Sequence, residues 1–229
     1  MRTTKRTTAV TAAVLGMLGA LAGTGAGPGA AATVPVLTWG SPGGTPVNPG
    51  DQLSTQLNSG TPLRLTTTPG GPVGANCTSS VMQAQATANP PSPGTATATL
   101  TAWSIGACTS SNPGVVNVIG TVVNALPQPV VINDTGTLPV RIGPAGPGLT
   151  IVMTVNLGAG TMNCTYQPVG AVVTGNTVLG TSQWVFTNSK VQLVGGAVGP
   201  CGQPVDYLTA AYAPVRDTTI GSLPLVYVN

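Results

Sequence analysis

Glycine and proline break this chain every few residues, 32 and 22 of them in 229 positions, and outside the N-terminal segment no stretch carries the 3.6-residue apolar period of a helix. Proline removes a backbone donor and glycine offers no side chain to pack, so both confine regular structure to short extended runs. Threonine and valine dominate between the breaks, and both suit a pleated, half-buried surface. Alternation is the recurring pattern. Over residues 95–103, Ala96, Ala98, Leu100 and Ala102 share one face while Thr95, Thr97, Thr99 and Thr101 share the other. Residues 149–157 repeat it, with Leu149, Ile151, Met153, Val155 and Leu157 on one side. Residues 115–123, 184–194, 207–212 and 223–228 also read as strands. Short strands about ten residues apart argue for a sandwich or a barrel.

The first six residues carry three positive charges, Arg2, Lys5 and Arg6, and no negative one. An apolar run over residues 9–22 follows, then a Gly/Pro stretch over 23–29 and Ala30, Ala31 and Ala32. A positive start, an apolar middle and an A-x-A exit define a secretory signal, and we place cleavage after Ala32. The run is short for a membrane span and none follows, so no span is expected in the mature chain. No adjacent arginines occur, which favours the general export route.

Cleavage removes three of the seven basic residues. Arg64, Arg141, Lys190 and Arg216 then balance Asp51, Asp134, Asp206 and Asp217, so the net charge of the rest is zero. On that count no nucleic-acid or anionic-membrane partner is expected. Weak repulsion between copies favours self-association, and a cell-surface or extracellular protein or glycan is the other partner class.

The sequence holds no histidine and no glutamate, which withdraws the usual general bases, the imidazole partner of a serine nucleophile and the commonest nitrogen ligand of zinc. A Ser–Lys pair would have to use Lys190, and no motif surrounds it. No metal or cofactor site is expected: the cysteines lack a C-x₂-C pair, the aspartates do not cluster, and the Gly-x-Gly strings read as turns. The expectation is a non-catalytic protein.

Asn76-Cys77-Thr78 recurs 87 positions later as Asn163-Cys164-Thr165. A second cysteine follows each, Cys108 and Cys201, and each half ends in Asp-Thr and a Gly-[Ser/Thr]-Leu-Pro step, at 134–139 and 217–224. These matches in one order read as a divergent duplication. The expected organisation is a signal at 1–32, an N-terminal strand and Pro/Gly-rich linker at 33–62, and β repeats at 63–148 and 149–229 that either stand apart or share one core. Four cysteines allow three connectivities, and pairing within each repeat gives Cys77–Cys108 and Cys164–Cys201. Each bridge would close a loop of more than thirty residues, worth about 4 kcal/mol in the loop-entropy account.

Trp103 and Trp184 fall between the cysteines of their halves, either as exposed stacking surfaces or, the reading we favour, as core residues. Tyr166, Tyr207, Tyr212 and Tyr227 lie in the second half, as a binding face or as half-buried strand residues. Asp134 and Asp217 read as Asx turns.

The two cysteine-bracketed halves, the Thr-rich strands and the Ala-rich leader resemble a group of functionally uncharacterised small secreted all-β proteins of actinomycete bacteria. A looser likeness is to the enediyne-carrying apoproteins of those bacteria, from which this chain departs in length and in its long cysteine loops. The first resemblance implies an immunoglobulin-like sandwich outside the cell; the second implies carriage of a small apolar molecule between sheets or repeats. The sequence therefore points to a secreted structural or interaction module at or near the cell surface, with small-molecule carriage as the alternative. Intact-mass analysis of protein recovered from culture medium should show a chain starting at Thr33 with no free thiol. A Met1 start would contradict cleavage of an export signal, and four free thiols would contradict stapling.

Overall fold

In a computed structural model residues 33–229 are described, apart from 145 and 147, so the export signal assigned to 1–32 lies outside the described residues. Sixteen strands follow in chain order: β1 (Leu37–Trp39), β2 (Thr45–Pro46), β3 (Gln52–Gln56), β4 (Leu63–Thr66), β5 (Gly74–Ala88) and β6 (Thr95–Ser110). Then come β7 (Asn117–Asn124), β8 (Gln128–Asn133), β9 (Pro139–Ile142), β10 (Thr150–Asn156) and β11 (Thr161–Pro168). A short 3-10 turn (Val169–Ala171) leads into β12 (Val173–Thr177), β13 (Trp184–Gly195), β14 (Val205–Tyr212), β15 (Arg216–Asp217) and β16 (Val226–Val228).

The immunoglobulin-like sandwich is not formed. Antiparallel pairing runs β12-β9-β8-β6-β5-β4-β14-β13 and returns to β12, so the main sheet closes into an eight-stranded barrel. A sandwich leaves its sheets with free edges, whereas here the two strands that would be edges bond to each other: Asn176 pairs with Val185 and Thr177 with Trp184. Gly175 makes this seam possible. A Cβ there would sit 2.5 Å from the Val185 carbonyl oxygen and 2.6 Å from the Phe186 ring. Any side chain at 175 therefore pushes β12 off β13.

Alternation sorts the barrel into an apolar inside and a polar outside. Ala84, Ala86, Ala96, Ala98, Leu100, Val130, Ile132, Val140, Ile142, Phe186 and Leu208 are buried. Gln83, Thr87, Thr101 and Arg141 lie on the exposed outer face. A lipid-embedded barrel would need the reverse. Bulges shift the phase of the alternation. On β6 the register slips opposite Gln83 and Ala84, so the buried set moves from Ala96, Ala98 and Leu100 to Trp103 and Ile105. On β13 it slips between Phe186 and Ser189, with Asn188 at φ 51°. Asn188 tolerates that left-handed backbone, and its N–H donates to Thr209 Oγ1 at 3.1 Å.

Beyond its bulge β13 leaves β12 and pairs with β11, which continues through β10 to β7 as an arm of the same sheet. Strands β4 and β14, β9 and β12, and β7 and β10 pair across the 148/149 boundary. The buried apolar residues form one cluster.

The segment 33–62 is built in. Strand β3 pairs with β5 and β15, and β1 pairs with both β2 and β16. That three-stranded sheet presents Leu37, Val226 and Val228 to Trp184 and Ile132 of the barrel. Asn229 clasps it: its N–H donates to the Val36 carbonyl at 3.0 Å and its Nδ2 to Pro35 at 2.9 Å.

Both bridges of the within-repeat pairing are formed. They occupy different settings. Cys77 and Cys108 face each other across β5 and β6, whereas Cys164 on β11 reaches Cys201 in the loop between β13 and β14.

Gly175→Val should lower stability by at least about 2 kcal/mol, as overpacking against backbone does. Gly120→Ala on β7, where a Cβ has open space, should stay within about 0.5 kcal/mol of the parent. Urea midpoints of the two variants check the difference.

Candidate functional site

Core packing accounts for the aromatic residues. Trp103 and Trp184 are both 4 % exposed. The indole N–H of Trp103 is shared between Ser80 Oγ and Tyr212 Oη, each at 3.0 Å. Ser80 donates its one hydroxyl proton to the Ser104 carbonyl at 2.7 Å, so Tyr212 donates to Ser80 at 2.8 Å. Burial pushes the Tyr212 phenol up, only partly offset by its hydrogen bonds to Ser80 and Trp103. The Tyr212 ring meets Phe186 edge-on with centroids 6.0 Å apart. Tyr166 is also buried and donates to the Cys201 carbonyl at 2.8 Å. Tyr166 and Tyr212 thus serve the core, while Tyr207 and Tyr227 are half-buried strand residues.

Little room is left inside. The gap among Leu37, Leu53, Ile132, Trp184 and Val226 is about 10 Å³, room for no more than about one water molecule.

The eight charges of residues 33–229 are sorted by position. None of the four aspartates is exposed, whereas Arg141, Lys190 and Arg216 are. Asp217 accepts the N–H of Thr219 at 2.9 Å, an Asx turn as expected. Asp134 does something else: it accepts the Gly94 N–H at 2.8 Å, from forty residues back. Asp206 accepts the Gln203 N–H at 3.0 Å under Gly202, where a Cβ would lie 2.2 Å from its Oδ2. Burial pushes the Asp206 carboxyl up to about 6 against that single stabilising N–H, and burial also raises Asp217. The zero charge count therefore hides an asymmetry: Asp206 and Asp217 are buried, Asp51, Asp134 and Arg64 are half-buried, and the three fully exposed charges are positive.

Two of the exposed cations share one groove of about 600 Å³. It opens where β13 parts from β12. Val131, Arg141 and Thr174 form an outward row across β8, β9 and β12. Ser189 bridges the gap between β12 and β13, its Oγ accepting the Thr174 N–H at 3.2 Å. Pro144, Val169 and Val172 add apolar walls, and Asn188 and Lys190 close the far side. The β13 bulge places Lys190 here. In an unbroken strand residue 190 would share the inward face of Trp184 and Phe186; the extra residue turns it out and turns Ser189 and Val191 in. Lys190, the lysine that a Ser–Lys pair would have to use, is thereby exposed, and its neighbour Ser189 is buried. Among the described residues neither Arg141 nor Lys190 has a hydrogen-bond or ion-pair partner, and no acidic residue lines the groove.

Sequence reasoning did not single out Arg141 and weighed Lys190 only as a catalyst. A signal was present: apolar residues fall on even positions at Trp184 and Phe186 and on odd ones at Val191 and Leu193, a phase change that requires a bulge at Thr187-Asn188-Ser189. A second groove of about 470 Å³ lies over Gln56, Asn58, Thr78, Ser79 and Pro214 and carries no charge. Comparison with protein families, curated proteins and solved structures finds no match to this chain.

The Asp206 carboxyl binds a proton in the folded protein that the unfolded chain releases near pH 4. Its contribution to stability is intact below that pH and is lost as pH rises through about 6. Between pH 4 and 7.5 the loss should be on the order of 2 kcal/mol. Asp206→Asn keeps the acceptor for Gln203 and should remove that part of the slope, leaving a smaller decline of the same sign from Asp217. Urea midpoints at the two pH values test this.

Proposed function

We propose that this chain is an exported, non-catalytic β-barrel that acts as an extracellular or cell-surface interaction module, and that its outer face is the working surface. The leader pattern at 1–32 and the two formed disulfides support export. The observation that carries the reading is the contrast between a filled interior, with about 10 Å³ left beside Trp184, and an outer groove of about 600 Å³. Carriers of small apolar molecules hold them in cavities of hundreds of cubic ångströms that enclose most of the ligand. The filled barrel supports surface recognition over carriage. The absence of histidine and glutamate supports binding over catalysis.

Protein recovered from medium should co-sediment saturably with envelopes isolated from the strain that exports it, and its native mass should be that of the bare chain or a bare oligomer. A soluble protein with no retention on envelopes would overturn the proposal. A small-molecule mass that leaves on denaturing would put carriage in its place.

A further inference from the structure

We propose that the groove where β12 and β13 part binds an amphiphilic anion, a carboxylate or phosphate carried on a short apolar body. The inference rests on the reading that the outer face is the working surface, and it names the chemistry which that face recognises.

Arg141 and Lys190 provide the anion side. They are two of only four basic residues in 33–229, they line one groove, and no acid lines it with them. Like charges brought together without a counter-charge repel, and nothing in the barrel requires them there: both side chains point away from the core. A guanidinium presents a planar fork that matches a carboxylate or phosphate through two parallel hydrogen bonds, and an ammonium adds a point charge beside it. Asp206 and Asp217 are buried, Asp51 and Asp134 are half-buried, and none of the four lines the groove, so no carboxylate opposes its two cations there.

Val131, Pro144, Val169 and Val172 provide the apolar side. Val169 remains 44 % exposed on the turn that roofs the groove. A bare inorganic anion would leave these walls wet, whereas a ligand with a hydrocarbon body covers them and gains the burial. The volume lies within the range of small-ligand sites.

Octanoate, octyl phosphate, octyl glucoside and inorganic phosphate distinguish the parts in an amide NMR titration at neutral pH. Octanoate or octyl phosphate should shift residues 141–143, 169–174 and 188–190 saturably, and the stronger of the two reports which anion is preferred. Octyl glucoside, which lacks the charge, and inorganic phosphate, which lacks the body, should each bind at least about tenfold more weakly. The double variant Arg141→Gln, Lys190→Gln should lose the octyl anions while its unfolding midpoint stays within error, both side chains being exposed and unpaired. Equal binding of octyl glucoside, equal binding of inorganic phosphate, retention by the double variant, or no saturable shift with either octyl anion would each overturn the proposal. Saturable retention on envelopes alongside any of those results would confine the failure to this groove and leave the wider reading in place.

Discussion

Strand β12 meets β13 through two residue pairs, Asn176 with Val185 and Thr177 with Trp184, and the barrel has no free edge only because that contact holds. An unpaired edge offers a row of donors and acceptors to any passing strand. Closure removes that hazard for the eight barrel strands and fixes which way each side chain points. The contact depends on an absent side chain at Gly175, pressed against the Val185 carbonyl and the Phe186 ring. Phe186 in turn packs on Tyr212, whose hydroxyl joins Ser80 and Trp103. Seam and core therefore hold each other in place: the ring that forbids a Cβ at 175 is itself fixed by the buried polar cluster.

The same seam creates the groove. Since β13 pairs with β12 at one end and β11 at the other, the sheet must split between them, and the bulge at 187–188 sits at the split. One extra residue there reorders the chemistry, putting a serine inside and a lysine outside. The acids follow the opposite course, held by backbone N–H groups at Gly94, Gln203 and Thr219. A chain with balanced charges thus exposes three cations more fully than any of its acids, which composition does not reveal.

Much of the strand layout was legible. The alternating runs at 149–157, 184–194 and 207–212 lie on β10, β13 and β14, and the within-repeat pairing of Cys77, Cys108, Cys164 and Cys201 is the one formed. The step from strands to architecture failed because alternation specifies an inside and an outside for each strand and carries no record of partners. Sandwich and barrel read alike until a long-range contact such as β12 with β13 is known. Strands β8 and β12, short and broken by glycine and proline, escaped notice, and the strand start at 136–139 was not followed into β9, where Arg141 lies. The matching motifs around Cys77 and Cys164 were real as text, yet their bridges join different kinds of neighbours, because Cys108 lies on the next strand while Cys201 lies in a loop.

The clasp between the two ends of the described chain sets an order of events. Leu37 finds its strand partner at Val228 and the carbonyl of Val36 receives the N–H of Asn229. A chain emerging from its amino end presents β1 first and β16 last, so the cap over Trp184 cannot be assembled until almost everything else has passed. Contacts that span the whole length form slowly, since the loop they close costs entropy before any contact compensates. Until Asn229 is available the sheet over Trp184 lacks its third strand, so this cap is the last part of the fold to be completed.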